Sequence, residues 1–490
     1  PSTDSSTAAP RREDVLALFS AVMLPMFLAA VDQTLLATAT PRIAAEFHDL
    51  GDTAWIAIGY LIAATVMAPV YGRLGDRLGR RNVLLGAIGV FALGSLACAL
   101  ARSMGVLIAA RALQGLGGGG LMVLSQALIG ELVPPRHRPR YQAYFAIVFT
   151  ASSVGGPVIG GLVVHYADWR WLFLVNVPLC ALAAWRVARL PQSTHLALRG
   201  TPTDPWGLVL FAVTAISALL WFSLAGHRFH WLSATSVALI ALSLAGGAAL
   251  LRQQRLHPSP FLPLDLLRLP GVGWICATVV VFAASMFALV FLLPIHLQLG
   301  HGANASDAGL QMLPLTVGLV VGSTINGRIT ARTAMPSRTP PFGLAMAALA
   351  LGALALAPAS AWSLDMAAAV VGLGFGTVMP SAQLSTQTLA GRGRLGAAAA
   401  LLSLTRSLGA SLGTAAFGGL AFALLHVVPA GEGASASTTV SSLSPAALSQ
   451  AFHIVYACLA VFVGFGAWIA SRVPPVHLEH GLGTAPIAAE

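Results

Sequence analysis

Hydrophobic residues fill long runs of this chain, and polar residues concentrate in the short segments between the runs. A membrane-spanning helix needs about 20 apolar residues, and fourteen runs come close to that length. Because lipid offers no hydrogen-bond partners to the backbone, runs of this length predict helices. The predicted spans are Val15–Thr40, Ala54–Gly72, Asn82–Ala101, Gly105–Ile129, Tyr141–His165, Trp171–Leu190, Pro205–Ala225, Leu232–Leu251, Val272–Leu299, Ala308–Thr330, Pro341–Ala357, Leu364–Thr388, Leu395–His426 and Phe452–Ser471.

The arginines between these runs predict how the chain is oriented. All 27 basic residues are arginine. With the N-terminus inside the cell, 21 of them fall in inside segments, four fall outside, and two (Arg111 and Arg406) lie within helices. Cytoplasmic loops of membrane proteins carry such an excess of positive charge. The bias therefore supports fourteen spans in a cytoplasmic membrane, with both termini in the cytoplasm.

The order of the spans suggests two halves. Six predicted helices precede Leu190 and six follow Val272, and the loop sequence GRLGDRLGRR from Gly72 has a weaker echo in GRITAR from Gly327. Parallel six-helix repeats are a transporter arrangement with the substrate site between them. The predicted regions are a cytoplasmic tail (1–14), an N-terminal bundle (15–190), two inserted helices (205–251), a C-terminal bundle (265–472) and a second cytoplasmic tail (473–490).

Composition excludes several other classes of protein. Hydrophobic residues make up 57% of the 490 residues and charged residues only 9%, too few to build a soluble surface. The net charge of +10 is spread over the loops, so we expect no nucleic-acid partner. Without lysine there is no P-loop ATP site, and the His and Cys spacings match no metal motif. A membrane-embedded enzyme would need His and acids clustered at one interface, so we expect neither an enzyme nor a cofactor.

The segment GRLGDRLGRRNVLL from Gly72 carries the densest charge in the chain. Its glycines predict a tight turn between the second and third helices. Asp76 is suited to a helix N-terminus, where the helix dipole favours an anion. Glu131 is expected to pair with Arg77 or Arg80 and so to form a conformational latch at the cytoplasmic face. The alternative is that these arginines only orient the protein in the membrane.

Asp32 is the only acid deep in the first predicted helix. An ionised carboxylate is costly in a membrane, so a solitary acid there indicates a functional site. Such a group can bind a proton or pair with a cationic substrate, and these two uses exclude each other. The alternative is a structural Asp bonded to the hydroxyl of Thr34 or Thr38. Arg111 and Gln114 lie three residues apart on the fourth helix and therefore share a face.

Several motifs together resemble the major facilitator superfamily, and within it the fourteen-helix drug:proton antiporter family. They are the Gly72 segment, VDQTLLATATP from Val31, LIAARALQGLGGGG from Leu107, SSVGGPVIGG from Ser152, DWRWLFLVNVP from Asp168 and TRSLGASLGTA from Thr405. The resemblance implies an all-α major facilitator fold of two six-helix bundles plus two inserted helices. The second-half loop departs from the pattern because it lacks the Asp.

The resemblance also implies roles for particular residues. Arg111 would couple protonation to movement, with a packing ion pair as the alternative. The antiporter motif of Gly156, Pro157, Gly160 and Gly161 would seal the protein against proton leak. Further polar residues are weaker candidates for the substrate cavity: Gln33, Gln114, Gln126, Gln298, Gln311 and Arg406.

The expected function is proton-coupled export of amphipathic, often cationic, drugs or toxic compounds by alternating access. The partners are then a small-molecule substrate, protons and the lipid bilayer. An alternative on the same fold is export of a natural metabolite, lipid or siderophore. Uptake by symport is disfavoured by the antiporter motif.

Overall fold

The computed structural model describes residues 12–48, 52–133, 138–190, 204–224, 233–258, 260–262, 264–301, 311–356, 361–424 and 445–478. Sixteen α-helices lie in these ranges. The first seven are α1 (Arg12–Phe47), α2 (Thr53–Leu78), α3 (Arg80–Ala99), α4 (Met104–Leu132), α5 (Arg138–Tyr166), α6 (Trp171–Leu174) and α7 (Asn176–Ala188). The others are α8 (Pro205–Leu224), α9 (Ala234–Leu256), α10 (Val272–His301), α11 (Leu313–Thr333), α12 (Thr339–Leu356), α13 (Ala361–Phe375), α14 (Val378–Ala390), α15 (Leu395–Leu424) and α16 (Pro445–Ser471).

These helices fit the fourteen predicted spans. Two pairs act as single spans, because α6 and α7 form one apolar stretch from Trp171 to Ala188 and α13 and α14 form another from Trp362 to Ala390. Within the described ranges, eleven helical stretches are long and apolar enough to cross a membrane. The other three spans are α1, α5 and α11, so the prediction of an all-α integral membrane fold is confirmed.

Separate hydrophobic cores form in the two halves. Two clusters of buried side chains draw only on residues between 21 and 190, and the largest cluster lies entirely between 266 and 470. The glycines of α4 allow close packing in the first half. A Cβ at Gly117 would overlap the backbone of α3 at Phe91, and one at Gly119 would overlap α2 at Ala64. Small residues of this kind let helices approach closely in membranes.

The turn between α2 and α3 differs from its prediction. Gly72 and Gly75 lie inside α2, which continues to Leu78, and the chain reverses at the single residue Gly79. Gly79 has a φ of 92°, a conformation that favours glycine because it has no Cβ. Apolar patterning placed the end of this helix too early, because a helix can extend beyond the lipid. We call this end of the molecule, where α2 ends and α15 begins, the inner end, after the cytoplasmic orientation that the sequence predicts for it.

The halves meet closely at the inner end. A Cβ at Gly72 would lie 2.6 Å from the Gly396 carbonyl oxygen, so α2 and α15 cross almost backbone to backbone. On α4, the Gln126 carbonyl accepts a hydrogen bond from Gln387 Nε2 of α14 at 3.2 Å. Elsewhere α5 packs against α11. The inner end is therefore closed in this conformation.

The inserted helices α8 and α9 pack on each other and lie beside that crossing. Phe211 of α8 and Leu250 of α9 form a small apolar cluster with Val66 of α2, and Leu404 of α15 packs against it. Because this cluster includes residues of both halves, the pair borders the interface instead of standing apart from the bundles.

Candidate functional site

Asp32 lies at the centre of a buried polar network in the N-terminal half. Its Oδ2 forms an ion pair with Arg111 Nη1 at 2.6 Å. Its Oδ1 accepts hydrogen bonds from Gln114 Nε2 at 2.8 Å and from Asn176 Nδ2 at 3.1 Å. Asp32 is 4% exposed and Arg111 1% exposed, so both charges are held by protein groups. We call these four residues the ion-pair network.

Arg111 has further contacts that would hold it in the absence of the carboxylate charge. Its Nε donates to the Ile56 carbonyl at 3.2 Å, and its guanidinium lies 4.5 Å from the centre of the Tyr60 ring. Its Nη1 also donates to Gln114 Oε1 at 2.5 Å, as their spacing on one helix face predicts. Gln114 Nε2 in turn donates to Ser95 Oγ at 2.8 Å. Side chains or backbone of α1, α2, α3, α4 and α7 therefore meet at one buried acid.

The structural alternative for Asp32 named Thr34 and Thr38 as partners, and the first of these is wrong. The Thr34 hydroxyl donates instead to the Val31 carbonyl at 3.0 Å and to the Ser152 carbonyl of α5 at 2.8 Å. The side chain of Thr38 lies outside the described residues. Thr34 therefore links α1 to α5, while Asp32 links α1 to α4 and α7.

The antiporter motif contributes one close contact to this link. Gly156 is buried, and a Cβ there would overlap Thr34 Oγ1. Gly160 is also buried, and the side chain of Pro157 lies outside the described residues. Gly161 of the same motif does not add to this contact. Gly161 is exposed, and a Cβ there would meet no described atom within 4 Å, because it falls on a different side of α5 from Gly156.

A second charged cluster, at the inner end, joins the two halves. Arg80 contacts Asp76 Oδ1 through Nη2 at 2.6 Å and Glu131 Oε2 through Nη1 at 2.6 Å. Asp76 also accepts backbone hydrogen bonds from Gly396 and Ala397, each at 3.1 Å. Since these N–H groups are at the start of α15, Asp76 caps a helix of the opposite half, where the dipole favours an anion. We call these five residues the latch.

The structure decides between the two predicted partners of Glu131. Arg80 is 3% exposed and takes this role. Arg77 forms no ion pair with any described residue, so its place in the predicted latch is wrong. It points to another side of α2 because it lies one residue from Asp76, a rotation of about 100°. Arg73 instead donates to the Phe261 carbonyl at 3.2 Å, after the inserted helices.

The predicted cavity residues are scattered. Gln114 is fully buried in the ion-pair network, so its assignment to the substrate cavity is wrong. Gln33 is exposed, Gln126 and Arg406 are partly exposed, and Gln311 is partly exposed at the start of α11. The side chain of Gln298 lies outside the described residues.

Sequence reasoning missed one member of the ion-pair network, Asn176, and two residues that contact the network, Tyr60 and Ser95. Asn176 was within reach, because it belongs to the motif DWRWLFLVNVP and is a polar residue in an apolar span. Tyr60 and Ser95 gave no such indication, since their roles depend on how α2 and α3 pack against α4.

At the end of the molecule opposite the inner end, Trp169 Nε1 and Arg170 Nη2 both donate hydrogen bonds to Glu46, at 2.6 and 2.8 Å. The hydrogen bond from Arg170 holds the pKa of Glu46 below its usual value.

Comparison with known proteins gives a family match over most of the chain and several relatives. The family model of the Major Facilitator Superfamily matches residues 22–414. An uncharacterized MFS-type transporter of Mycobacterium tuberculosis is 34% identical over 420 residues, which cover 84% of this chain and 60% of that protein. The chain thus spans 60% of the length of this relative. The multidrug transporter protein MdtP of Bacillus subtilis is 29% identical over 405 residues, covering 82% of this chain and 74% of MdtP.

Solved structures agree at the level of the fold. The proton:xylose symporter XylE superimposes with a TM-score of 0.61 at 16% identity, covering 95% of this chain and 97% of XylE.

Proposed function

The chain belongs to the major facilitator superfamily, and on that premise we propose that it exports amphipathic compounds across the cytoplasmic membrane in exchange for protons. Membership makes it a multi-pass membrane transporter. The observation that carries the proposal is the buried pairing of Asp32 with Arg111. The name of the Bacillus relative, a multidrug transporter, supports export of foreign compounds. We further propose that both termini are cytoplasmic and that no ATP or cofactor is used.

The proton step follows from the geometry of the ion-pair network. Ionised Asp32 accepts hydrogen bonds from Arg111, Gln114 and Asn176 at the same time. A proton bound to the carboxyl removes the charge that attracts Arg111 and takes up an acceptor site. Arg111 would then be held by Gln114, the Ile56 carbonyl and the Tyr60 ring. Protonation therefore weakens the contacts of α1 with α4 and α7, while Arg111 keeps its other hydrogen-bond and ring contacts.

Movement of α1 has a route to the opposite half. Thr34 and Gly156 lock α1 to α5, and α5 packs against α11 of the C-terminal half. The latch at the inner end keeps that end closed while α2 and α15 stay in contact. In this scheme proton binding changes the α1–α5 position, and opening of the inner end requires the bonds from Asp76 to Gly396 and Ala397 to break. Alternating access then exchanges a proton for a substrate.

The proton gradient supplies enough free energy for this exchange. One charge crossing about 100 mV is worth about 2.3 kcal/mol, and one pH unit adds about 1.4 kcal/mol. Since about 1.4 kcal/mol corresponds to a tenfold concentration ratio, each proton supports a substrate gradient of roughly 500-fold.

The substitution Asp32→Asn tests the proposal. An amide keeps the size and one acceptor oxygen of the side chain but cannot carry the proton, so proton-driven export should be lost. Cells expressing the chain would be loaded with a panel of labelled compounds, and accumulation would be measured with and without an uncoupler. Purified protein in proteoliposomes would report proton release directly.

Asp265→Asn is the matched control, because this acid is exposed and pairs with Arg394, and each of the two lies in a short 3₁₀ helix. It should leave export close to wild type. Gel filtration and thermal melting would show that both variants fold. Full resistance together with full proton release in a folded Asp32→Asn protein would refute the role of Asp32 as proton carrier.

A further inference from the structure

Arg406 and Arg111 are the two arginines that the sequence places within predicted spans, and Arg406 lies deep in the C-terminal half. It is the twelfth residue of α15, about 17 Å from the start of that helix at a rise of 1.5 Å per residue. Most of its neighbours along the helix are Leu, Ala, Gly and Ser. A bilayer core is about 30 Å thick, so a residue at this depth stands far from either aqueous phase.

The packing of α15 shows which way this side chain points. Leu408 and Leu412 are 44% and 43% exposed, which marks the face of α15 turned toward lipid. Gly409 packs against Val280 of α10 on another face. At 100° per residue, Arg406 is about 160° from Leu408 and about 60° from Gly409. Arg406 therefore points into the molecule, between the faces that contact α10 and α2.

Inside the molecule Arg406 borders open space. Its side chain remains partly exposed although it points away from lipid. Arg111, by contrast, is closed off by protein at 1% exposure. Arg406 is thus placed to meet a molecule that enters between the halves.

No described residue neutralises this charge. Arg406 has no ion pair and no hydrogen bond from its guanidinium within the described ranges. The acid deepest in the described helices is Asp32, which Arg111 already pairs with. Asp365 stands near the beginning of α13, at an end of a span. Arg406 therefore carries a positive charge that no described ion pair compensates.

An uncompensated cation in a membrane is costly and usually marks a substrate or ion pathway. We propose that Arg406 receives the anionic group of an amphipathic substrate, a carboxylate, sulfonate or phosphate attached to an apolar body. This inference rests on the proposed export function and assigns its substrate class. A guanidinium offers paired N–H donors that match such oxyanions. A cationic substrate would instead face repulsion from Arg406 and find Asp32 occupied by three donors.

Amphiphiles that share one chain and differ only in head group provide the test. Tritiated dodecanoate, dodecanol and dodecyltrimethylammonium would be bound to the purified full chain in a scintillation proximity assay, without a proton gradient. Wild type should bind dodecanoate most tightly. Arg406→Gln should weaken dodecanoate binding by about tenfold or more, the range of one charge-assisted contact, and leave dodecanol unchanged. Arg406→Lys should retain most of the affinity.

Arg338→Gln is the matched control, because it removes the same charge from an exposed position in the segment before α12. It should bind all three compounds as wild type does. Equal weakening of all three compounds by Arg406→Gln, or preference of wild type for the ammonium compound, would overturn the proposal. Competition by soluble fluorescein or by phosphatidate would distinguish a dissolved anion from a lipid head group, and either result supports an anion site.

Failure of the export proposal would look different. Asp32→Asn protein should still bind dodecanoate, since the anion contacts Arg406 and not the proton site. If Asp32→Asn leaves proton-driven export intact while dodecanoate binding still depends on Arg406, the coupling proposal fails and the anion site stands. If export depends on Asp32 but binding ignores Arg406, the substrate class is wrong and the export function stands.

Discussion

At the scale of single residues, two glycines of one motif have opposite surroundings. Gly156 is buried against Thr34, and Gly161 five residues later is exposed with open space at its Cβ position. Thr34 is β-branched, so its side chain has little freedom to move away from a new methyl group. It also holds a hydrogen bond to the Ser152 carbonyl that such a movement would break.

We therefore expect Gly156→Ala to separate α1 from α5 and to reduce export strongly. Overpacking of this kind usually costs about 1–3 kcal/mol, and the melting temperature of the purified protein should fall accordingly. Gly161→Ala should melt and transport like wild type, which makes it an internal control. Indistinguishable behaviour of the two variants would show that the α1–α5 contact is not part of the transport cycle.

At the scale of elements, the inserted pair α8 and α9 keeps most of its polar groups to itself. The Thr214 hydroxyl donates to the Leu210 carbonyl at 2.7 Å, and the Ser217 hydroxyl donates to the Val213 carbonyl at 2.7 Å. Trp221 of α8 donates to Ser236 of α9 at 2.7 Å. These bonds stabilise the pair, and we therefore expect its hydroxyls to have no role along a substrate path.

Alanine at Thr214, Ser217, Ser236 or Ser243 should therefore leave export close to wild type in a resistance assay with expression controlled. Each loss removes one hydrogen bond, worth about 1 kcal/mol of stability. Ser223 belongs to the same scan, although its side chain lies outside the described residues. Several well-expressed but inactive variants would place the pair in the transport path.

At its end nearest the latch, the inserted pair is held by hydrogen bonds to a single acid, Asp204. Asp204, just before α8, accepts hydrogen bonds from the Gly207 N–H at 2.8 Å, Gln253 at 3.0 Å and the Phe261 N–H at 3.0 Å. Burial by itself would raise the pKa of Asp204, but these donors outweigh burial and lower it. A lowered pKa contributes stability above the usual pKa of Asp, and that stability is lost as pH falls through the lowered value.

Asp204→Asn should therefore lower the melting temperature of the purified protein at pH 7. The difference from wild type should begin to shrink as the pH falls below about 4, the usual pKa of Asp, and should vanish once the pH has passed below the lowered pKa of Asp204. Asp265→Asn, a change of an exposed acid, should give a much smaller difference at pH 7. A melting difference that does not depend on pH would show that the Asp204 charge is not what stabilises this corner.

At the scale of the whole molecule, the closed inner end depends on a few bonds between the halves. Asp76 binds the first N–H groups of α15, and Arg80 fixes Asp76 and Glu131 in place. Both Asp76 and Arg80 are almost fully buried, so their bonds are protected from water and salt. Surface ion pairs, by contrast, are worth only about 0–1 kcal/mol.

Asp76→Asn or Arg80→Ala should slow turnover more than it weakens substrate binding, because the latch lies at one end of the bundle. Charge-assisted hydrogen bonds contribute about 1.5–3 kcal/mol, enough to shift the balance between conformations by roughly tenfold or more. Transport and equilibrium binding would be measured on the same preparations. Arg77→Ala in the same segment is the control, and loss of binding with normal turnover would contradict the latch.

The sequence by itself determined the class of the molecule. Lipid imposes strict demands, since a span must be apolar, helical and about 20 residues long, and arginines must collect on one side. These demands act on each segment separately, so all fourteen spans could be identified in advance. The same logic singled out Asp32, Arg111 and Arg406, because charges are rare in such helices. The pairing of Glu131 followed from charge and from its place at a helix end.

Only the tertiary structure decided how those residues combine. The partners of Asp32 come from 79 to 144 positions away along the chain, and Asp76 caps a helix 320 positions away. Helix faces that look alike in sequence differ by rotation and crossing angle, which the packing of several helices sets together. That is why Gly156 packs against Thr34 while a Cβ at Gly161 would meet no described atom within 4 Å. It is also why Arg80 joins the latch while Arg77 does not. The fold pairs the charge of Arg111 with Asp32, whereas the charge of Arg406 faces the interior without an ion pair among the described residues.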